Sequence, residues 1–450
     1  MITILGAGLS GISASYHLGH DNCLVFEKNT HPGGHIYSYQ KEGCTWDEGP
    51  HVSFTKHSYV KELFEKTSKG RWHEFPAEVS NYYKSSWIPH PAQSNMGAIP
   101  QPLKDQCWQD FLKSREEIMA DFKPASYEEW LKAAFGQFFY ETFSKVYTQK
   151  YWTLSPQHLT TDWVGERVFY PDIKDVEKGY LNKQDRNTHY ITKFRYPDSG
   201  GYFSYAKAMT EGMRIEYNKE LDRISFKNKE LYFTDGECHT YDRLISTIPL
   251  PELIIKSDAP QDVKAAADAL SCSSLLLVNV VVNHTQKRPD HWMYVYDPEK
   301  YSTRISFLEK LSETNAGSGQ SAIQVEVYFS KYKPITESFE QIAECVKEEL
   351  VEMGLVLNQS SIVSVHTHWV PWANIIFDAN RRPSLETIFN WLQSFGYNRI
   401  KDELEPMTNW AQRTEQMNGT LMLTGRFAEW KYYWTDDCVL SAKEKAKKWQ

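Results

Sequence analysis

One stretch at the amino end limits the folds open to this 450-residue chain more than any other. Ile2-Thr3-Ile4-Leu5 is a short apolar run suited to a buried parallel strand. It leads directly into Gly6-Ala7-Gly8-Leu9-Ser10-Gly11, a complete G-x-G-x-x-G, and then into helical spacing through Ile12, Ala14, Tyr16 and Leu18, closed by Gly19. Cys23-Leu24-Val25-Phe26 reads as a second strand that delivers Glu27, followed by Lys28, at its carboxyl end. Strand, glycine turn, helix, strand and an acid about twenty residues on are the context in which this motif binds a dinucleotide. Gly6 permits the tight turn, Gly8 lets the backbone approach a pyrophosphate, and Gly11 lets the helix lie close to the strand. Leu9 and Ser10 open the helix, whose free N–H groups and positive end suit phosphates. Glu27 can accept hydrogen bonds from a ribose.

The next residues choose the nucleotide. Pro32-Gly33-Gly34-His35 puts a second glycine pair just after the acid. This resembles the E-x(n)-G-G extension of FAD-binding flavoproteins, which NAD-binding domains lack. FAD is therefore the expected cofactor, with Gly33, Gly34 and His35 beside it.

The chain is long enough for roughly two or three domains. Its net charge of −8 provides no large basic field, which argues against a nucleic-acid partner. The seven cysteines are scattered singly with no C-x-x-C pair, which fits a reducing cytosol and a cytoplasmic location. No secretory leader is expected, because the first residues already form the dinucleotide-binding strand. The most apolar run, Leu275 to Val282, is too short to span a bilayer, so no stable membrane insertion is expected.

Further along, Ser85 to Pro91 and Gly97 to Leu103 are proline-rich and read as loops leading into a second region. Cys107 to Tyr151 is helical in pattern, with a capping-box signature at Ser126 and an aromatic stripe of Phe135, Phe138, Phe139 and Phe143 that reads chiefly as core. Arg214 to Tyr217, Leu221 to Phe226 and Glu230 to Thr234 have the period of a small antiparallel meander. Arg243 to Pro249 is a strand expected to rejoin the FAD sheet. Candidate strands at 275–283, 292–296, 304–307, 323–329 and 362–368 predict a mixed or antiparallel sheet. Lys443, Lys445, Lys447 and Lys448 read as the solvated end of a last helix that starts after Asp436-Asp437. His366 and His368 share a strand face, but their neighbours offer no third ligand, and no metal site is expected.

The fold class expected is α/β, a Rossmann-type FAD-binding domain with a mixed α+β substrate domain built around an antiparallel sheet and a helical insertion. The expected division is 1–85 (FAD, first part), 86–195 (helical insertion), 196–273 (FAD, second part, with the meander), 274–380 (substrate sheet) and 381–450 (FAD, carboxyl part).

Several segments together resemble the flavin amine oxidase and protoporphyrinogen oxidase-like superfamily, and within it the UDP-galactopyranose mutase-like proteins of surface-polysaccharide biosynthesis. Beside the FAD fingerprint, Gly49-Pro50-His51 with Thr55 looks like the mutase segment that runs along the flavin. Tyr147 to Trp152 resembles the helix end before the mutase substrate cleft. Ser302-Thr303-Arg304-Ile305 looks like the strand whose arginine grips the substrate diphosphate. Gly425-Arg426 with Asp436, Asp437 and Val439 is similar to the carboxyl-terminal FAD motif, whose helix points its N-terminus at the flavin. Two departures stand out. Phe54 replaces a second histidine. The mutases also carry a further gripping arginine shortly after the position of Arg167, and Val168 to Asp172 has none.

The resemblance implies a flavoenzyme that rearranges a nucleotide sugar between pyranose and furanose forms with reduced flavin. Arg304 would clamp the diphosphate, since a planar fork suits phosphate oxygens. His51 would lie at the reacting centre, and Tyr151, Trp152, Tyr328 and Tyr332 could stack a base or flank the flavin. Two alternatives come from the same fold: an amine or protoporphyrinogen-type oxidase, and a flavoprotein that turns nothing over.

Overall fold

Period-two patterning explains how the larger sheet is placed. In the strand Ser321–Phe329, Ile323, Val325, Val327 and Phe329 face a buried apolar cluster, while Gln324, Glu326 and Tyr328 face the opposite way. The neighbouring strands Cys272–Val282, Arg304–Phe307 and Trp292–Val295 alternate in the same sense. The helix Phe339–Glu352 covers the apolar face through Ile342, Val346 and Leu350. The other face is left to line a cavity.

The computed structural model describes residues 1–117, 122–165, 168, 170–181, 192–410 and 419–449. The seven-stranded sheet runs in the order 362–375, 272–282, 321–329, 304–307, 292–295, 79–83, 86–89. Its pairings are antiparallel except that of Trp292–Val295 with Val79–Tyr83, which is parallel. The second sheet has five parallel strands in the order 421–423, 243–246, 2–5, 23–26, 215–216. Ile2–Leu5 lies at its centre, buried throughout. The helices Leu9–Leu18 and Thr435–Ala446 lie together, joined by the Ser13 hydroxyl donating to the Val439 carbonyl at 3.1 Å.

Several expectations need adjustment. Ile215–Glu216 joins the parallel sheet, and the meander is completed by Cys238–Thr240 instead. Ser86–Pro89 is a strand, at the sheet edge where proline leaves no ladder bond unmade. Val79–Tyr83, inside the stretch assigned to the first FAD part, pairs into the seven-stranded sheet. Both acids Asp436 and Asp437 lie within the first turn of the last helix. Lys445 is buried rather than solvated, paired at 2.6 Å with buried Glu429.

The helices Leu103–Glu117, Tyr127–Phe135, Lys145–Tyr151 and Ile173–Leu181 form the insertion. Ser126 caps the second of them by accepting from the Glu129 N–H. Phe135, Phe139 and Phe143 are buried, and the first two also reach the cavity.

Candidate active site

Between the two sheets lies a cavity of 930 Å³ that reaches from Glu27 to the tyrosines of the helical insertion. Its two ends are built on different principles.

The dinucleotide end is made of backbone. An added Cβ at Gly11 would stand 2.0 Å from the Gly6 carbonyl oxygen, so only glycine lets this helix lie on the strand. Gly11 therefore packs beneath the turn and does not line the cavity. Gly8 and Gly34 approach so closely that a Cβ on Gly34 would come to 3.0 Å from the Gly8 Cα, and the Gly33 N–H donates to the Ala7 carbonyl at 2.8 Å. The helix Leu9–Leu18 begins at Gly8 with no side-chain cap and no acid in its first turn, leaving its N–H groups to whatever lies beside Gly8, Leu9 and Ser10. Glu27 is buried; its two oxygens accept the Ala7 N–H at 2.7 Å and the Asn29 N–H at 2.9 Å. Each oxygen keeps a lone pair for a ribose hydroxyl. Gly6, Lys28, Gly33, Gly34 and His35 line the same end.

The middle of the cavity is lined by Gly49, Pro50, His51, Gly425, Arg426 and Asp436. His35 Nδ1 donates to Glu48 Oε1 at 2.7 Å, and His368 stands 3.9 Å from the other oxygen. Burial works against the Glu48 charge, yet these two imidazoles hold its pKa down to about 2. Burial pushes the His51 imidazole down to about 4, although Nδ1 donates to the Gly49 carbonyl at 3.0 Å. At neutral pH His51 is thus an uncharged ring. Burial and the neighbouring Asp437 raise the Asp436 carboxyl. Asp437 itself is turned from the cavity, accepting the Trp434 N–H and the Trp410 indole N–H, each at 2.9 Å. Val439 is core, not lining. The Gly425 N–H donates to Glu429 at 2.9 Å, so the buried Glu429–Lys445 pair holds this turn from behind. Phe54 packs edge-on against Trp434 with ring centres 4.6 Å apart.

The far end is made of side chains. Tyr147 and Tyr151 stack with centroids 5.7 Å apart, Tyr294 meets Tyr147 edge-on at 5.3 Å, and Tyr328 lies 4.9 Å from Tyr151. Trp152 is nearly buried and packs against Trp163 at 5.0 Å. The Tyr151 hydroxyl and Arg426 Nη2 both donate to Asn374 Oδ1, at 3.3 and 2.8 Å. Arg304 does not stand bare, as a simple diphosphate clamp would. Its Nε donates to Glu326 Oε2 at 2.8 Å and its Nη2 to Oε1 at 2.5 Å. The Tyr328 hydroxyl is also spent on Glu326, at 2.6 Å. Tyr332 lies elsewhere, bonded to Ser271 and Asp378. Arg167 falls outside the described residues.

Glu326, Glu48, Asn374 and Tyr294 escaped the sequence reading. Glu326 had one signal: it stands two residues before Tyr328 on an alternating strand and therefore shares its face. His366 is held by Asn279 Nδ2 at 3.2 Å, and no metal-holding group occurs among the described residues.

The open helix end, the close glycine contacts and the buried Glu27 carboxylate are those of a Rossmann-type dinucleotide site, and the residues present fit FAD. The chain belongs to the flavin containing amine oxidoreductase family, whose model matches residues 9–448. It is a flavoenzyme that uses FAD. Among curated proteins, it is 22% identical over 286 residues to a coproporphyrinogen III oxidase of Staphylococcus aureus, covering 55% of this chain and 60% of that one. It is 25% identical over 268 residues to an L-amino-acid oxidase of Sistrurus catenatus edwardsii, covering 52% of this chain and 46% of that one. The chain thus spans only about half to three-fifths of the length of these relatives. Among solved structures, reduced UDP-galactopyranose mutase superposes with a TM-score of 0.88 at 24% identity, over 99% of this chain and 93% of that one. A CLA-producing fatty acid isomerase from P. acnes superposes with a TM-score of 0.64 at 12% identity, over 99% and 97%. These likenesses establish a shared fold.

Proposed function

We propose that the enzyme acts on a nucleotide sugar as a pyranose–furanose mutase in surface-polysaccharide biosynthesis, with 1–85, 196–273 and 381–450 chiefly serving FAD and 86–195 and 274–380 the substrate. The observation that carries this reading is the far end of the cavity, where four mutually packed tyrosine rings and the guanidinium of Arg304, the strand partner of Tyr294, line the same wall. Ring faces suit a nucleobase, and a planar fork suits phosphate oxygens. Nη1 of Arg304 meets no acceptor among the described residues, so that edge is left to a ligand.

Gly8 to Ser10, Glu27, Gly33 to His35 and Gly425-Arg426 would hold FAD, which in its reduced form would supply an electron-rich centre for a redox-neutral rearrangement. The chain's own residues do the rest. The tyrosines orient the base and exclude water. Arg304 steadies charge on the departing diphosphate. Uncharged His51 leaves Nε2 able to exchange a proton with a sugar hydroxyl.

The test is an anaerobic assay of FAD-loaded protein on a panel of nucleotide sugars, with and without dithionite. An isomer of unchanged mass formed only with dithionite supports the proposal. No product from any sugar overturns it. An oxidase reading has one specific support: Arg304 is already neutralised by Glu326, which suits a less anionic substrate. Flavin bleaching by an amine or amino acid would favour it.

A further inference from the structure

We infer that Glu326 sets the charge an incoming anion meets at Arg304, and so limits how strongly the site holds a diphosphate. This inference rests on the nucleotide-sugar reading. Arg304 and Glu326 are register partners on adjacent antiparallel strands, so the pair is fixed by the sheet itself. Both parallel bonds use the inner edge of the guanidinium, and the Tyr328 hydroxyl pins the same carboxylate. The Glu326 side chain is 1% exposed and that of Arg304 23%, so of these two cavity-lining groups the base is the more accessible. Gly49, on the middle wall, lies against the acid: a Cβ there would come to 3.4 Å from Glu326 Oε1.

A phosphate that reaches the outer edge of Arg304 therefore meets a neutral pair. It gains directed hydrogen bonds but little net attraction, because the Glu326 charge lies only one guanidinium further away. Such an arrangement suits a site that must let the product nucleotide sugar leave as readily as the substrate entered. Glu326 acts through Arg304 and is a positioning residue. No other carboxylate bonds Arg304 among the described residues.

The test is calorimetric titration of the FAD-loaded protein with UDP, inorganic pyrophosphate and uridine, for wild type, Glu326→Gln and Glu326→Asp. Gln keeps the shape and one acceptor but removes the charge. Expected is an affinity for UDP and pyrophosphate about tenfold higher in Glu326→Gln, with uridine unchanged and no gain in Glu326→Asp. A role confined to holding the fold would shift all three ligands alike. Should Glu326→Gln not accumulate as FAD-loaded protein, the wild type decides. Its UDP affinity should fall less than about threefold between roughly 0.05 and 0.5 M salt, because a neutral pair is little screened. Equal or weaker UDP binding by Glu326→Gln, or a steep salt dependence, overturns the role of Glu326 alone. Wild type that binds none of the three ligands overturns the nucleotide-sugar reading beneath it.

Discussion

The two ends of the cavity differ in what they are made of. At the dinucleotide end the working groups are backbone N–H donors, close glycine contacts and one carboxylate tied to its own turn. At the far end they are side chains: four tyrosines, a tryptophan, and an arginine whose partner comes from another strand. Backbone geometry tolerates almost no substitution but needs little from distant sequence. Side-chain geometry can be retuned residue by residue, which is how one fold hosts oxidases and isomerases.

The sharpest break between the ends should come from the glycine turn. Gly11→Ala drives a methyl into the Gly6 carbonyl, and we expect a loss of about 3 kcal/mol or more with almost no FAD retained. Gly8→Ala meets only the Gly34 Cα at 3.9 Å, so the variant should lose FAD yet melt at the temperature of wild-type protein stripped of FAD. Thermal melts of the FAD-free proteins with flavin quantitation separate the two; equal melting losses relative to FAD-free wild type would show that Gly8 also serves packing.

At the other end, Arg304→Met leaves the Glu326 carboxylate buried without its cation, held among the described residues only by the Tyr328 hydroxyl. Expected is a loss of roughly 3–5 kcal/mol in denaturant unfolding, with FAD stoichiometry intact. Loss of FAD in this variant would mean that the two ends are not separable.

A smaller effect is expected from pH. Burial lowers His51, His291 and His366 each to about 4, below their unfolded value near 6.5. Their neutral forms favour the fold above pH 6.5, and that contribution is lost as pH falls from 6.5 towards 4. Melting temperature should decline across this window, and less steeply in His291→Gln, which leaves both cavity ends untouched. The smallest effect is expected at Lys150, buried with a pKa lowered to about 7 and donating to the Asp297 carbonyl at 2.8 Å. Its folded pKa lies below the unfolded value, so burial disfavours the protonated form as pH falls from about 10.5 towards 7. Lys150→Met should therefore be neutral to mildly stabilising at pH 7, and a large loss would reveal a role in holding the Tyr147–Tyr151 helix.

The same contrast decides what was legible. The glycine turn, Glu27 and the second glycine pair could be read because their chemistry is local and their spacing is short. The larger sheet could be read from its alternation. The strand that carries Arg304 could be read, but the pairing of its guanidinium could not, since Glu326 reaches it only through a strand register 22 residues away. Ile215–Glu216 misled because a two-residue strand carries no period, and its pairing with Val25 and Phe26 is decided by the tertiary fold. Lys445 misled because a lysine-rich helix end looks solvated until Glu429 is brought against it.

One measurement bears most directly on the proposed activity. Nucleotide sugars, amines and amino acids would be added anaerobically to the oxidised, FAD-loaded protein, and the flavin spectrum followed. A mutase site should give a band shift with nucleotide sugars and no bleaching with any compound. Bleaching by an amine or amino acid, with no response to nucleotide sugars, would contradict the proposed function and make this an oxidase.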